Sequence, residues 1–96
     1  MSKDKNQIAV IEKDDILTGL KEAAESGLPD AKYEMALIYL EREETDQAIK
    51  LLEESYNKFH KSSLKLGDMH TEGKYVKADP KKALKYYLKA YELGDD

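Results

Sequence analysis

Apolar residues along the chain fall into five segments of helical period, each bounded by a polar or glycine-containing break. In the first, Ile16, Leu17, Leu20, Ala23 and Ala24 recur at spacings of three and four. That spacing predicts a helix from Asp14 or Asp15 to Ser26, with Gly27 as its stop. Pro29 and Asp30 open a second helix over 30–41. Its apolar positions, Tyr33, Met35 to Leu40, cover more than one face, so this helix is expected to be packed on several sides. Glu41-Arg42-Glu43-Glu44 reads as a charged turn, and Thr45 as the cap of a third helix over 46–58. Ala48, Ile49, Leu51, Leu52, Ser55, Tyr56 and Phe59 are expected to face inward. A fourth helix is predicted over 61–71, with Leu64, Leu66 and Met69 towards neighbours. Gly67 lies inside it, where a glycine costs about 1 kcal/mol relative to alanine. Its expected use is to let an adjacent helix come close.

The fifth segment is the best punctuated. Gly73 ends the fourth helix, and a loop leads to Asp79. The Asp79 carboxylate can accept a bond from a free N–H of the first turn, and Pro80 stands where its missing N–H costs nothing. Ala83, Tyr86, Tyr87, Ala90 and Tyr91 share one face, with Tyr86 and Tyr91 expected in the core. Gly94 is expected to close the helix in the left-handed conformation. No strand-like alternation is sustained beyond Ile8-Ala9-Val10-Ile11, so the fold class is all-α. Residues 1–13 form a separate N-terminal region. Met1 to Gln7 reads as a flexible tail. Ile8–Ile11 reads as a backward extension of the first helix, a segment packed over the end of the array, or a short strand.

The helices repeat one another. Gly27 aligned with Gly94 places Leu17 over Leu84, Ala23 over Ala90 and Ala24 over Tyr91; Ala48 aligned with Ala83 places Tyr56 over Tyr91. Met35-Ala36 likewise falls over Leu66-Gly67. The spacings of 31 (35 to 66) and 35 (48 to 83) lie in the range of helix-pair solenoids. The second unit carries Leu66-Gly67, Gly73, Val76, Asp79, Lys82-Ala83, Tyr86-Tyr87, Ala90 and Gly94. The first carries Ala31, Tyr33, Met35-Ala36, Tyr39, Asp46 and Ala48, and Ala23-Ala24-Glu25-Ser26-Gly27 closes a preceding half unit. In these residues the chain resembles the Sel-one-like repeat (SLR) family, relatives of the tetratricopeptide repeats. Tyr75 departs from the pattern at the second loop glycine, His70 at the usual tyrosine, and Arg42 where a glycine is common. The resemblance covers residues 14–95 and implies a short right-handed solenoid of about five antiparallel helices. The division is a half repeat over 14–27 and repeats over 29–60 and 61–96. It also implies a protein-interaction role without catalytic residues, because the family signature is one of packing.

Composition narrows the functional classes. The 96 residues carry a net charge of −4. Residues 1–48 hold 6 Lys+Arg against 12 Asp+Glu (−6), and residues 49–96 hold 10 against 8 (+2). An acidic half argues against a general polyanion binder. There is no cysteine, which excludes disulfide and thiolate chemistry. The longest apolar run at the N-terminus is far too short for a signal core or membrane span, so the expected location is cytoplasmic.

Candidate chemistry is sparse. His60 and His70 are the only histidines, and Asp68 and His70, two apart on a helix, do not share a face. The carboxylates at Asp14-Asp15, at 41–46 and at Glu53-Glu54 fall on turns and outer faces, where nothing shifts a pKa towards acid–base work. No phosphate loop, calcium loop or nucleophile motif is present. No catalytic, metal or cofactor site is therefore expected. Tyr33, Tyr39 and Tyr75 are the candidate anchors for a protein partner on the concave face, since a tyrosine offers a large apolar area with one polar end. Tyr87 lies on the open flank of the last helix. Lys81, Lys85 and Lys89 form a stripe beside it, with Lys81 and Lys85 as candidate contacts to an acidic partner. The expected function is an adaptor or small regulator or inhibitor, with a homodimer through the last helix as one form of association. The alternative is a nucleic-acid-related protein, touching phosphates through the lysine stripe or imitating a polyanion with the acidic half.

Overall fold

A computed structural model describes the backbone of residues 5–94 and the side chains of residues 14–94. Five helices follow one another: α1 (Lys5–Glu25), α2 (Pro29–Glu41), α3 (Thr45–Ser55), α4 (His60–Glu72) and α5 (Pro80–Gly94). No strand occurs among the described residues. The backbone of Ile8–Ile11 lies within α1, so it is helical rather than extended. Residues 1–4, and the packing of the Ile8–Ile11 side chains, lie outside the described part.

Each helix packs on the next, as expected when short connections join antiparallel neighbours. The backbones of α2 and α4 also approach one another within 8 Å, whereas among the described residues those of α1 and α3, or α3 and α5, do not. The first helices of successive pairs therefore form a tighter inner row, and the second helices splay as an outer row. That difference curves the array and makes the α2–α4 side concave. The chain is elongated, 54 × 29 × 23 Å, with a radius of gyration of 15.1 Å. A globule of this length would have about 12.5 Å.

The core is one cluster running along the array, with Leu17 from α1, Met35, Ala36, Tyr39 and Leu40 from α2, and Ala48 and Leu52 from α3. Leu66 and Met69 from α4 and Tyr86 from α5 complete it. Three serines are buried with them: Ser55, expected inward from its spacing, and Ser62 and Ser63, which the apolar pattern does not announce. Ser55 Oγ donates to the Leu51 carbonyl at 3.0 Å and lies 2.6 Å from Ser62 Oγ. Ser63 Oγ donates to the Tyr56 carbonyl. The group fastens the end of α3 to the start of α4, and each hydroxyl has a partner, so burial leaves none of them unpaired.

Several helix boundaries differ from the sequence reading. Glu44, not Thr45, precedes α3, and no side chain caps it. The helix stops at Ser55 rather than Lys58. There the carbonyl of Ser55 takes the N–H groups of both Lys58 and Phe59, closing a turn in place of further helix. Asp79 does cap α5, accepting from the Lys82 N–H at 3.2 Å. Gly27 and Gly73 are left-handed, at φ 94° and 70°. Gly94 is not. A Cβ there would lie 2.9 Å from the His60 ring, so Gly94 is needed for close contact between α5 and α4 rather than for a left-handed turn. Leu64 is 45% exposed rather than core, and Tyr91 is 72% exposed. Tyr91 lies on the side of α5 that no described helix covers.

Two non-glycine residues, Glu43 at φ 62° and Tyr75 at φ 73°, are also left-handed. Glu43 closes α2: its N–H donates to the Leu40 carbonyl at 3.1 Å and the Glu44 N–H to the Tyr39 carbonyl at 2.8 Å, the bonding of a glycine-type helix stop. A side chain in this conformation costs about 1–2 kcal/mol, part of which a glycine gives back through its looser unfolded state. Glu43→Gly is therefore expected to stabilise the chain by about 0.5–1 kcal/mol, read as a rise of a few degrees in thermal midpoint. A fall in midpoint would show that the exposed Glu43 side chain matters more than its backbone strain.

Candidate functional site

The concave side is built from the exposed edges of α2 and α4. Tyr33 from α2 and Lys61, Leu64, Lys65 and Asp68 from α4 line a shallow groove there of about 340 Å³. The edge of Tyr33 rests on Phe59, ring centroids 5.4 Å apart at 70°, and Phe59 in turn meets the His60 ring at 5.5 Å. This aromatic row fixes the Tyr33 ring while leaving part of it on the groove. Burial, with a smaller contribution from Glu34, raises the pKa of the Tyr33 hydroxyl, so it is a neutral donor and acceptor at neutral pH. The groove thus offers an apolar floor of Tyr33 and Leu64 between two lysines and one carboxylate. Leu64 is the residue the sequence reading missed. Its helical spacing with core residues assigned it inward, and only the contact of α2 with α4 shows that it lies on the inner surface.

The other sequence-derived candidates are dispersed. Tyr39 is buried in the core, and its remaining edge, with Met35, Gln47, Lys50, Leu51 and Glu54, lines a separate groove between α2 and α3. Tyr75 is in the loop between α4 and α5, as its place at a loop glycine implied, exposed, with the Lys74 ammonium 5.3 Å above its ring. A bulky residue held at positive φ while its ring stays exposed is backbone strain without a packing return.

Tyr87 is committed to the fold. Its ring fills the space above Gly67, where a Cβ would lie 2.7 Å from two ring carbons. Its hydroxyl donates to Asp68 Oδ1 at 2.7 Å and accepts from Thr71 Oγ1 at 3.1 Å. Lys81 is exposed at the start of α5, and the Lys85 ammonium lies over the Tyr56 and Tyr86 rings at 5.8 and 5.7 Å. Lys89 pairs with Glu92 at 3.4 Å. A second cleft of about 440 Å³ lies behind the loop, lined by Ile49, Glu53, His70, Val76 and Lys82 among others. His70 stacks on Tyr86 at 5.6 Å, and its Nδ1 is buried without a partner. Opposite charges line that cleft, so it selects neither anions nor cations.

No group of three or more potential metal ligands occurs among the described residues, and none of their helices is long and apolar enough to cross a membrane. In comparison with known families, a model described as Sel1 repeat matches residues 29–58 and 60–95. No curated protein and no solved structure matches the chain.

Proposed function

We propose, from the premise that the chain belongs to the Sel1 repeat family, that it is an adaptor or small regulator of another protein, gripping a segment of that protein in its concave groove. Sel1 repeats are in general non-catalytic units that mediate protein–protein interaction. The observation that carries the groove reading is the exposure of Leu64 beside Tyr33, on the inner face, between Lys61 and Lys65. An apolar side chain with acidic neighbours is the segment such a floor and rim would take. Tyr75, exposed and strained at the end of α4, is a second contact for a partner that reaches past the groove. Tyr39 adds little, since the core already uses its ring.

The test is capture of partners from lysate of the source cells by the wild-type chain and by a Tyr33→Ala/Leu64→Asp variant. Truncating an anchoring aromatic and placing a charge on the apolar floor should weaken capture of any groove-bound protein at least tenfold. Undiminished capture by the folded variant removes the groove from the proposal. The nucleic-acid reading gains no support from α5. Lys89 is already paired with Glu92, and the single arginine, Arg42, bonds Asp14 at 2.8 Å far from the lysine stripe.

A further inference from the structure

The two ends of the array present unlike open flanks. On α5, Leu84, Leu88 and Tyr91 lie at i, i+4 and i+7 and are 59%, 57% and 72% exposed. Within the chain itself, the positions equivalent to Leu84 and Tyr91 are covered, whereas those equivalent to Leu88, Lys21 and Glu53, are exposed. Leu17, the counterpart of Leu84, is 7% exposed beneath α2. Tyr56, the counterpart of Tyr91, meets the edge of Tyr86 from the next unit at 5.2 Å. Leu84 and Tyr91 are therefore packing positions of the array that no described helix covers, Leu88 extends the apolar strip between them, and Lys81 and Lys85 run along its rim.

At the other end, α1 leaves Ile16 and Gly19 exposed and Ala23 half-buried. Asp15 and Glu22 stand beside this strip, also exposed. Over 14–25 the helix holds four acidic residues against one lysine, and over its whole length five against three. α5 holds four lysines against one glutamate. The flank at one end is thus bulky and basic, and the flank at the other, Ile16 aside, is small-sided and acidic.

We propose that copies of this chain associate head to tail, the Leu84–Leu88–Tyr91 flank of α5 on one copy seating against the Ile16–Gly19–Ala23 strip of α1 on the next. Lys81 and Lys85 then meet Asp15 and Glu22. A symmetric pairing of α5 with α5 gives the lysines no acidic partner other than Glu92, so complementarity favours the unlike ends. A contact between unlike patches does not close on itself at two copies, and association continues beyond the dimer.

The test is the mass of the full chain in solution, by sedimentation from about 10 µM to about 1 mM, at low and high salt. The expected result is an average mass that rises past that of a dimer with concentration and falls with salt. Lys81→Glu/Lys85→Glu and Asp15→Lys/Glu22→Lys, each alone, should weaken association on the order of tenfold or more, because each sets like charges against one another. Mixing the two variants should restore it, since both new junctions pair opposite charges. All four positions are exposed, and Leu88→Asp gives a third variant that acts on the apolar contact without touching the rim. A wild-type chain that stays monomeric over the whole range overturns the proposal. So does association that stops at the dimer and survives Asp15→Lys/Glu22→Lys, the behaviour of an α5–α5 pair.

Discussion

Leu52→Ala is expected to lower the stability of the chain by about 2–5 kcal/mol, the range for emptying a fully buried leucine site. Leu52 has no exposed surface and belongs to α3, which packs on both α2 and α4. At about 0.05–0.15 kcal/mol per residue, a domain of this size holds roughly 5–14 kcal/mol in all, so one methyl-rich side chain accounts for a substantial part. In a stack of units, stability is a sum of unit and neighbour terms. A cavity in α3 weakens both of its interfaces at once, so the two repeats should lose cooperativity as well as stability. Urea unfolding read by helical signal would show a lower midpoint and a broader transition. Leu84→Ala is the matched control: it removes the same atoms from an exposed site and should fall within about 0.5 kcal/mol of wild type. Equal effects at the two positions would contradict the assignment of Leu52 to a shared core.

Gly67→Ala is expected to destabilise by about 1–3 kcal/mol, although alanine is the better helix former. The new methyl would lie 2.7 Å from Cδ1 and Cε1 of the Tyr87 ring. That ring cannot swing aside freely, because Asp68 and Thr71 hold its hydroxyl. The helix α4 and the ring of α5 must separate or the two hydrogen bonds must break. In a Tyr87→Ala background the obstruction is gone. There Gly67→Ala should reverse sign and stabilise by up to about 1 kcal/mol, the difference in helix propensity. A double-mutant cycle measures the coupling directly. A stabilising Gly67→Ala in the wild-type background would show that α4 and α5 have room to spare.

Much of this architecture was legible in the residues. The 3.6-residue period placed all five helices, though not the first turns of α1, because each buries an apolar stripe, and α2 more than one. Asp79-Pro80 located the start of α5 to the residue, since both side chains act on their own backbone and need no tertiary partner. Gly67 was legible for a related reason, as a costly helix residue that implied a close neighbour. The errors arose where burial depends on something outside the segment. Tyr91 and Leu64 have core spacing, but whether a flank is covered depends on which helix comes next and how the inner row closes. Thr45 looked like a cap because its type fits, yet the chain enters α3 one residue earlier. Gly94 looked like a helix stop, while its contact with His60, 34 positions away, has no local signature. Ser55 fell on the inward face by its spacing, but Ser62 and Ser63 gave no signal, since an apolar count scores a serine as surface.

In the candidate groove, Tyr33 could be chosen from its type, but its companions could not. Lys61, Leu64, Lys65 and Asp68 occupy the same groove only because α4 lies against α2. The residues that share the candidate groove were therefore those the periodicity had divided between core and solvent.

The uneven closeness of the two helix rows has a mechanical consequence. With α2 and α4 in contact and the outer helices apart, the inner row is the pivot about which the array flexes. Bending changes the gap between outer helices far more than it changes the inner contact, so it is the soft direction of the molecule. A segment wedged between α2 and α4 would straighten the arc and swing α5 as a lever. Groove width and the bearing of the far flank are then one coordinate, and whatever occupies the first sets the angle at which the second is offered.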